Sequence, residues 1–326
     1  MQNQDLTQLS VSQLGHLIQR RDVSPVEVAE AFIRRIDALE PRLNAFITRV
    51  DEHALQSARE AEEEILRGDY RGPFHGIPVG LKDLFWTKDI RTTSGSLIDG
   101  EFVPAEDSAV ASRIKAAGAY CIGKLHMTEF AFDGTSLNPH YGPARNPWDL
   151  ARMAGGSSSG PGAAVAGGQV PIAIGTDTGG SVRVPAALCG ITGLKPTFGL
   201  ISRYGVTPLS WSMDHVGPMT RTVGDAALAL NMLAGYDSRD PDSLRMAPQD
   251  YSRELDGGVQ GMRIGVPKDF IWDVMDLEVE QAFRAAMTQM ESLGSRVREA
   301  SFPDLGLINA AGSIVQTSEA GIIHRA

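Results

Sequence analysis

Residues 153–196 read MAGGSSSGPGAAVAGGQVPIAIGTDTGGSVRVPAALCGITGLKP, and the interpretation of the whole chain turns on them. Two glycine-flanked serine clusters, Gly155-Gly156-Ser157-Ser158-Ser159-Gly160 and Gly179-Gly180-Ser181, are joined by an apolar run suited to a buried strand. Glycine weakens regular structure, so this density marks places where backbone must approach something closely. Serine is the reactive group within the stretch.

Outward from it, the pattern alternates between the two periods of secondary structure. Ser10 is placed to cap a first short helix. Ser24-Pro25-Val26-Glu27 reads as a capping box with proline at the first helical position, opening a helix to about Leu39. Val28, Phe32 and Ile36 give that helix one apolar face. A third helix is expected over residues 51–67, closed by Gly68, with Glu60, Glu62, Glu63 and Glu64 on a solvated face. Residues 77–81 form an apolar run that ends in Lys82, a charged residue where a buried strand should stop. Helix is then predicted over 108–117, strand over 120–125, strand over 169–174, helix from Thr222 through Ala234, strand over 263–266, helix over 277–293, strand over 296–300 and helix over 308–324. Such alternation implies an α/β fold with a mixed, largely parallel central sheet covered by helices on both faces. One domain is expected over 1–326, comprising an N-terminal helical region (1–70), a catalytic core (71–235) and a later αβ portion (236–326). The polar stretch 235–256 is read as a surface excursion.

Composition narrows the function. A net charge of −10 argues against a broad nucleic-acid or anionic-membrane surface. No apolar run is long enough to span a bilayer and no basic segment precedes an apolar one at the start, so the cytoplasm is the expected location. Cys121 and Cys189 lack metal-ligand spacing and sit among apolar residues, which predicts buried free thiols and no structural metal. No cofactor is called for.

Three chemistries compete for the serines. Ser158 is the centre of a G-x-S-x-G pattern, but a nucleophile elbow needs a buried strand before it, and the polar turn-like residues 146–152 stand there instead. A phosphate-cradling loop is the second possibility; the chain has no G-x-x-x-x-G-K-[ST] to support it. The third joins both clusters to Lys82. A serine hydroxyl becomes nucleophilic when a base takes its proton, and a lysine amine serves once burial depresses its pKa. Residues 175–181, following a strand, would turn successive N–H groups towards a developing oxyanion beside Ser181. His215 next to Asp214 is read as structural, because sequence neighbours do not readily face each other across one hydrogen bond.

Gly80-Leu81-Lys82-Asp83, Gly155 to Gly160, Gly175-Thr176-Asp177-Thr178-Gly179-Gly180-Ser181-Val182-Arg183, Gly193-Leu194-Lys195-Pro196-Thr197 and Met213-Asp214-His215-Val216-Gly217-Pro218 together resemble the amidase signature family over nearly the whole chain. Lys82, Ser157 and Ser181 also keep the family's spacing. The resemblance implies the amidase signature fold and a carboxamide-cleaving enzyme. It makes Ser181 the acyl-forming nucleophile, Ser157 the bridging serine after a cis peptide bond, and Lys82 the base. Thr178, Gly179 and Gly180 would supply oxyanion-hole N–H groups beside that of Ser181 itself, and Ser158, Asp177 and Arg183 would orient the loop, with a surface ion pair as the alternative for Arg183. A small-molecule amide is the implied partner, with no direct nucleic acid and no membrane. Two departures matter. Val184 precedes Pro185 where the glutaminyl-type amidotransferase subunits generally carry glutamine, which favours a stand-alone amidase over the glutamine-hydrolysing A-type subunit of a tRNA-dependent amidotransferase. Family members also usually continue beyond residue 326, so a homo-oligomer, a complementing C-terminal fragment or an inactive remnant stay open as readings.

Overall fold

A computed structural model describes residues 5–247, 249–268, 271–302 and 304–325. The chain divides into two compact units, the first comprising residues 1–251 with 323–326 and the second 252–322. The division falls inside the polar stretch that the sequence reading treats as a surface excursion; Pro248 of that stretch and residues 1–4 lie outside the described residues.

In the first unit, Ser10 and Ser24 each close a reciprocal capping box, with Gln13 and Glu27 respectively, and so start α1 (Val11–Gln19) and α2 (Pro25–Leu43). α2 runs four residues beyond the expected Leu39. Pro41 falls in its last turn, and the helix stops where Asn44 turns left-handed. The strand β1 (Phe46–Arg49), too short to signal itself, follows, then α3 (Asp51–Arg67), ended by left-handed Gly68 as expected. Next come β2 (Pro78–Lys82), α4 (Ala109–Ala116, capped by Ser108), β3 (Tyr120–Leu125), α5 (Ser159–Ala166), β4 (Ile172–Asp177), α6 (Arg183–Cys189), β5 (Thr192–Gly193), β6 (His215–Thr220) and α7 (Val223–Leu233). β4 starts three residues later than the sequence pattern suggests and reaches into the polar Thr176-Asp177. The turn before it absorbs Gln169 and Val170, whose N–H groups bond the end of α5.

Six strands form one mixed sheet in the order β1-β3-β2-β4-β6-β5. β3, β2 and β4 are parallel, and the pairings outside them are antiparallel. Every residue of those three parallel strands is buried, as expected when both faces of a parallel sheet are covered. α5 packs against β2, β3 and β4, whereas α3 and α4 pack on β3 and α7 on β6. The parallel strands therefore end side by side, and Lys82 and Asp177 lie at those carboxyl ends, the usual place for an active site in such a sheet.

The second unit pairs β7 (Arg263–Pro267) in parallel with β8 (Arg296–Ala300), the two connected through α8 (Leu277–Ser292), and most of α9 (Leu305–Ile323) belongs to it. No helix among the described residues is long and apolar enough to cross a membrane.

Candidate active site

The apolar run of residues 77–81 delivers Lys82 to the end of β2 with no solvent exposure. Its ammonium nitrogen donates to Ser157 Oγ at 2.7 Å and to Thr176 Oγ1 at 2.8 Å. No ion pair within 4 Å engages it among the described residues. Burial lowers its pKa from 10.5 to about 7, a pull that the charges of Asp214 and then Asp177 oppose. An amine poised there exists in both protonation states near neutrality, which is what a general base requires.

Ser157 follows a cis peptide bond from Gly156 and is fully buried. Gly156 has to be glycine, since a Cβ would lie 1.8 Å from the Thr135 carbonyl oxygen. The Ser157 carbonyl accepts from the Thr128 N–H at 3.3 Å, tying the serine loop to the strand end after β3. Ser158 is the N-cap residue of α5. Its N–H donates to the Ser181 carbonyl at 3.2 Å and its hydroxyl donates to the Thr176 carbonyl at 3.2 Å. That fit depends on Gly175, whose missing Cβ would sit 2.7 Å from Ser158 Oγ. Ser158 is thus packed into the fold. Among the described residues no strand leads directly into it, so the G-x-S-x-G pattern does not form a nucleophile elbow here.

Ser181 stands at the start of the turn into α6 and is half-buried. Its hydroxyl makes no hydrogen bond among the described residues. The structure therefore joins Lys82 to Ser157 directly, and joins the Ser157 loop to Ser181 through the neighbouring backbone bond from Ser158; a direct hydroxyl contact between Ser157 and Ser181 is not formed. Catalytic contacts are commonly loose before substrate binds.

Asp177 organises the turn that presents Ser181. Its carboxylate accepts from the N–H groups of Gly180 (2.9 Å), Val182 (3.2 Å) and Arg183 (3.3 Å). Arg183 adds a two-pronged contact through Nε at 2.9 Å and a terminal nitrogen at 2.8 Å. Burial pushes the Asp177 carboxyl up, but Arg183 and these N–H groups outweigh it and hold it below the ordinary carboxylate range. Arg183 is half exposed, so it is at once a surface ion pair and the outer clamp of the loop. Gly180 differs from the sequence expectation, because its N–H is already donated to Asp177. The N–H groups of Thr178, Gly179 and Ser181 take part in no hydrogen bond among the described residues and remain open to an oxygen.

Several neighbours escaped the sequence reading. Thr176 is the second partner of Lys82. Asp214 accepts from Thr178 Oγ1 at 2.6 Å and from the N–H groups of Leu209 (2.8 Å) and Ser210 (3.0 Å). Lys124 and Asp83, both fully buried and 3.6 Å apart, lock the strand ends beside Lys82. Burial drives both towards their neutral forms; the Phe85 carbonyl and Thr92 accept from Lys124, and Thr93 donates to one Asp83 oxygen, while the other Asp83 oxygen has no hydrogen bond among the described residues. Thr176 and Asp214 lie inside segments singled out by resemblance, yet one sequence gives a threonine or aspartate there no distinguishing pattern. His215 faces the Met213 carbonyl at 2.6 Å and not Asp214, in keeping with a structural role. Cys121 and Cys189 are buried free thiols. A cavity of about 340 Å³ at the opposite end of β3, lined by His53, Glu64, Arg71, Lys115, Tyr120 and Cys121, includes none of Lys82, Ser157 and Ser181.

A sequence model of the Amidase family matches residues 27–325. The chain is 44% identical over 299 residues to the A-type subunit of the glutamyl-tRNA(Gln) amidotransferase from Carboxydothermus hydrogenoformans, covering 92% of this chain and 62% of that protein. It therefore spans about three-fifths of the length of this curated relative. Among solved structures, native peptide amidase from Stenotrophomonas maltophilia superposes with a TM-score of 0.91 at 34% identity, over 97% of this chain and 66% of the other. A chain from a vestigial protein complex that bears on the origins of an s-triazine catabolic enzyme gives a TM-score of 0.92 at 38% identity, over 97% of this chain and 68% of the other.

Proposed function

Because the chain belongs to the Amidase family, we propose that it hydrolyses a carboxamide C–N bond through an acyl-enzyme on Ser181, with Ser157 and Lys82 as the proton relay. The observation that carries the reading is the buried Lys82 amine 2.7 Å from Ser157 Oγ with its pKa near 7.

In this mechanism the Ser181 oxygen attacks the amide carbon as its proton passes to Ser157 and the Ser157 proton passes to the neutral Lys82 amine. The carbonyl oxygen becomes an oxyanion facing the open N–H groups of Thr178, Gly179 and Ser181, the interaction that usually contributes most to such reactions. Collapse breaks the C–N bond, and the leaving nitrogen takes the proton back along the same route. Water then enters, gives up a proton to the relay and cleaves the ester, which restores Ser181 and releases the acid. Asp177 and Arg183 hold the turn, and Ser158 spaces it from the strand.

A second reading, the glutamine-hydrolysing component of a tRNA-dependent amidotransferase, is favoured by the name of the curated relative and by its higher identity. Val184 before Pro185 points the other way. The same relay serves both, so the difference lies in the amide and in whether a partner protein is needed. Two free buried thiols fit a cytoplasmic setting in either case.

A fluorophosphonate should label Ser181, as read by mass spectrometry of the digested protein, and Ser181→Ala should remove both the label and amide turnover. Label on Ser158 would overturn the assignment. Ammonia release from simple amides without any partner supports the amidase; release from glutamine alone, raised by a tRNA-binding protein, supports the amidotransferase component.

A further inference from the structure

Asp214 is the residue at this site whose contacts the relay does not explain. It lies just before β6, next to the strand that carries Thr176 and Asp177, and is buried. Its carboxylate takes three hydrogen bonds, one from Thr178 in the nucleophile turn and two from the backbone of Leu209 and Ser210. No cation lies within ion-pair distance of it among the described residues. The other buried carboxylates around Lys82 are matched: Asp177 by Arg183, Asp83 by Lys124. Its three hydrogen bonds offset part of the cost of burying the carboxylate, and a positive charge forming nearby offsets more; the relay forms one whenever Lys82 accepts a proton.

We propose that Asp214 is a positioning residue with two duties, holding Thr178 so that its N–H stays turned to the oxyanion site and supplying the negative charge that favours the protonated form of Lys82 during turnover. This rests on the relay assigned above. The charges that act on Lys82 are those of Asp214 and then Asp177, with Arg183 offsetting the second; Asp83, next in the chain, is offset by Lys124, and the His215 ring turns to a carbonyl. Asp214 is therefore the negative charge whose removal Lys82 should feel.

Asp214→Asn separates charge from structure. The asparagine oxygen can accept from Leu209 and Ser210 while its amide donates to Thr178, whose hydroxyl rotates to accept, so each hydrogen bond keeps a partner. The test follows the side-chain resonances of lysine labelled with ¹³C at the ε position against pH, with the Lys82 signal assigned by its loss in Lys82→Met. Its midpoint, near 7 in the parent, is expected to fall by about one to two pH values in Asp214→Asn, the effect of losing one nearby opposite charge. Thr178→Val, which deletes the hydroxyl but keeps the carboxylate, should leave that midpoint in place and lower kcat more than it changes KM. An unmoved midpoint in Asp214→Asn, or an equal fall in Thr178→Val, overturns the proposal. Should Asp214→Asn fail to fold, Asp214→Ser is read by the same criterion. Because this readout needs no turnover, it stands apart from the amidase assignment, whose own failure would appear as activity surviving Ser181→Ala.

Discussion

Lys82 is a basic side chain at the end of a strand with no solvent around it, so its ionisation bears on stability and, through the proposed relay, on activity. If the neutral amine is the base, kcat/KM should rise as pH climbs through about 7 and then level off; a profile flat between pH 5.5 and 8.5 would remove Lys82 from the relay. The stability effect has a definite sign. The folded value is depressed from 10.5 to about 7, so between those limits the unfolded chain holds more protons, and stability rises with pH across that window. The penalty is fully present below about pH 7. Lys82→Met should abolish turnover yet unfold at higher denaturant than the parent, by at most about 5 kcal/mol at pH 6, with the advantage shrinking towards pH 10. Equilibrium denaturation at the two pH values checks it. Lys82 could be picked out in the sequence because a charge closing an apolar run breaks the local pattern. Thr176 and Asp214 break no pattern, and their roles come from β4 lying beside β2 and β6, an adjacency that a single sequence does not encode locally.

At the scale of elements, capping chemistry was the most readable signal. Ser10 and Ser24 each start the helix expected of them, because a side-chain cap is a contact between residues three apart, and Ser108, read as the first residue of its helix, is the cap just before it. Strands that depend on distant partners were harder to see: β1 is short, and β6 contains Gly217-Pro218, letters that argue against a strand until β4 and β5 pair with it. α5 shows why the serine stretch is rich in glycine. A Cβ on Gly160 would sit 2.2 Å from the Ala45 carbonyl oxygen and 2.4 Å from the His126 nitrogen, both backbone atoms with little room to yield. Gly160→Ala should therefore cost about 1–3 kcal/mol in denaturant unfolding even though alanine is the better helix former. Stability equal to the parent would mean that α5 rides higher on the sheet than described.

Across the whole molecule, the fold class and the central alternation of helices and strands followed from periodicity, while the division at residues 251 and 252 did not, since a polar stretch reads alike as a loop or as a boundary. The first unit carries its own reporters of opening. Burial raises the Cys121 thiol to about 11 and the Cys189 thiol to about 12, so neither offers much thiolate near neutrality. Both should resist alkylation at pH 8 in the native protein and react together once denaturant opens the unit. Fast labelling of one alone, followed by mass spectrometry, would show that its surroundings open locally.

Gly175 is the point where the serine loop touches β4, with the Ser158 hydroxyl in the space a methyl group would fill. That close approach works as a gauge block: through Ser158 it sets how far the adjoining Ser157 hydroxyl stands from the strand that steadies the lysine. Gly175→Ala would insert a shim about one carbon thick, leaving every reacting group in the protein while widening the gap a proton must jump. Turnover should drop by at least tenfold with the circular dichroism spectrum unchanged, because proton transfer falls off steeply with donor–acceptor separation.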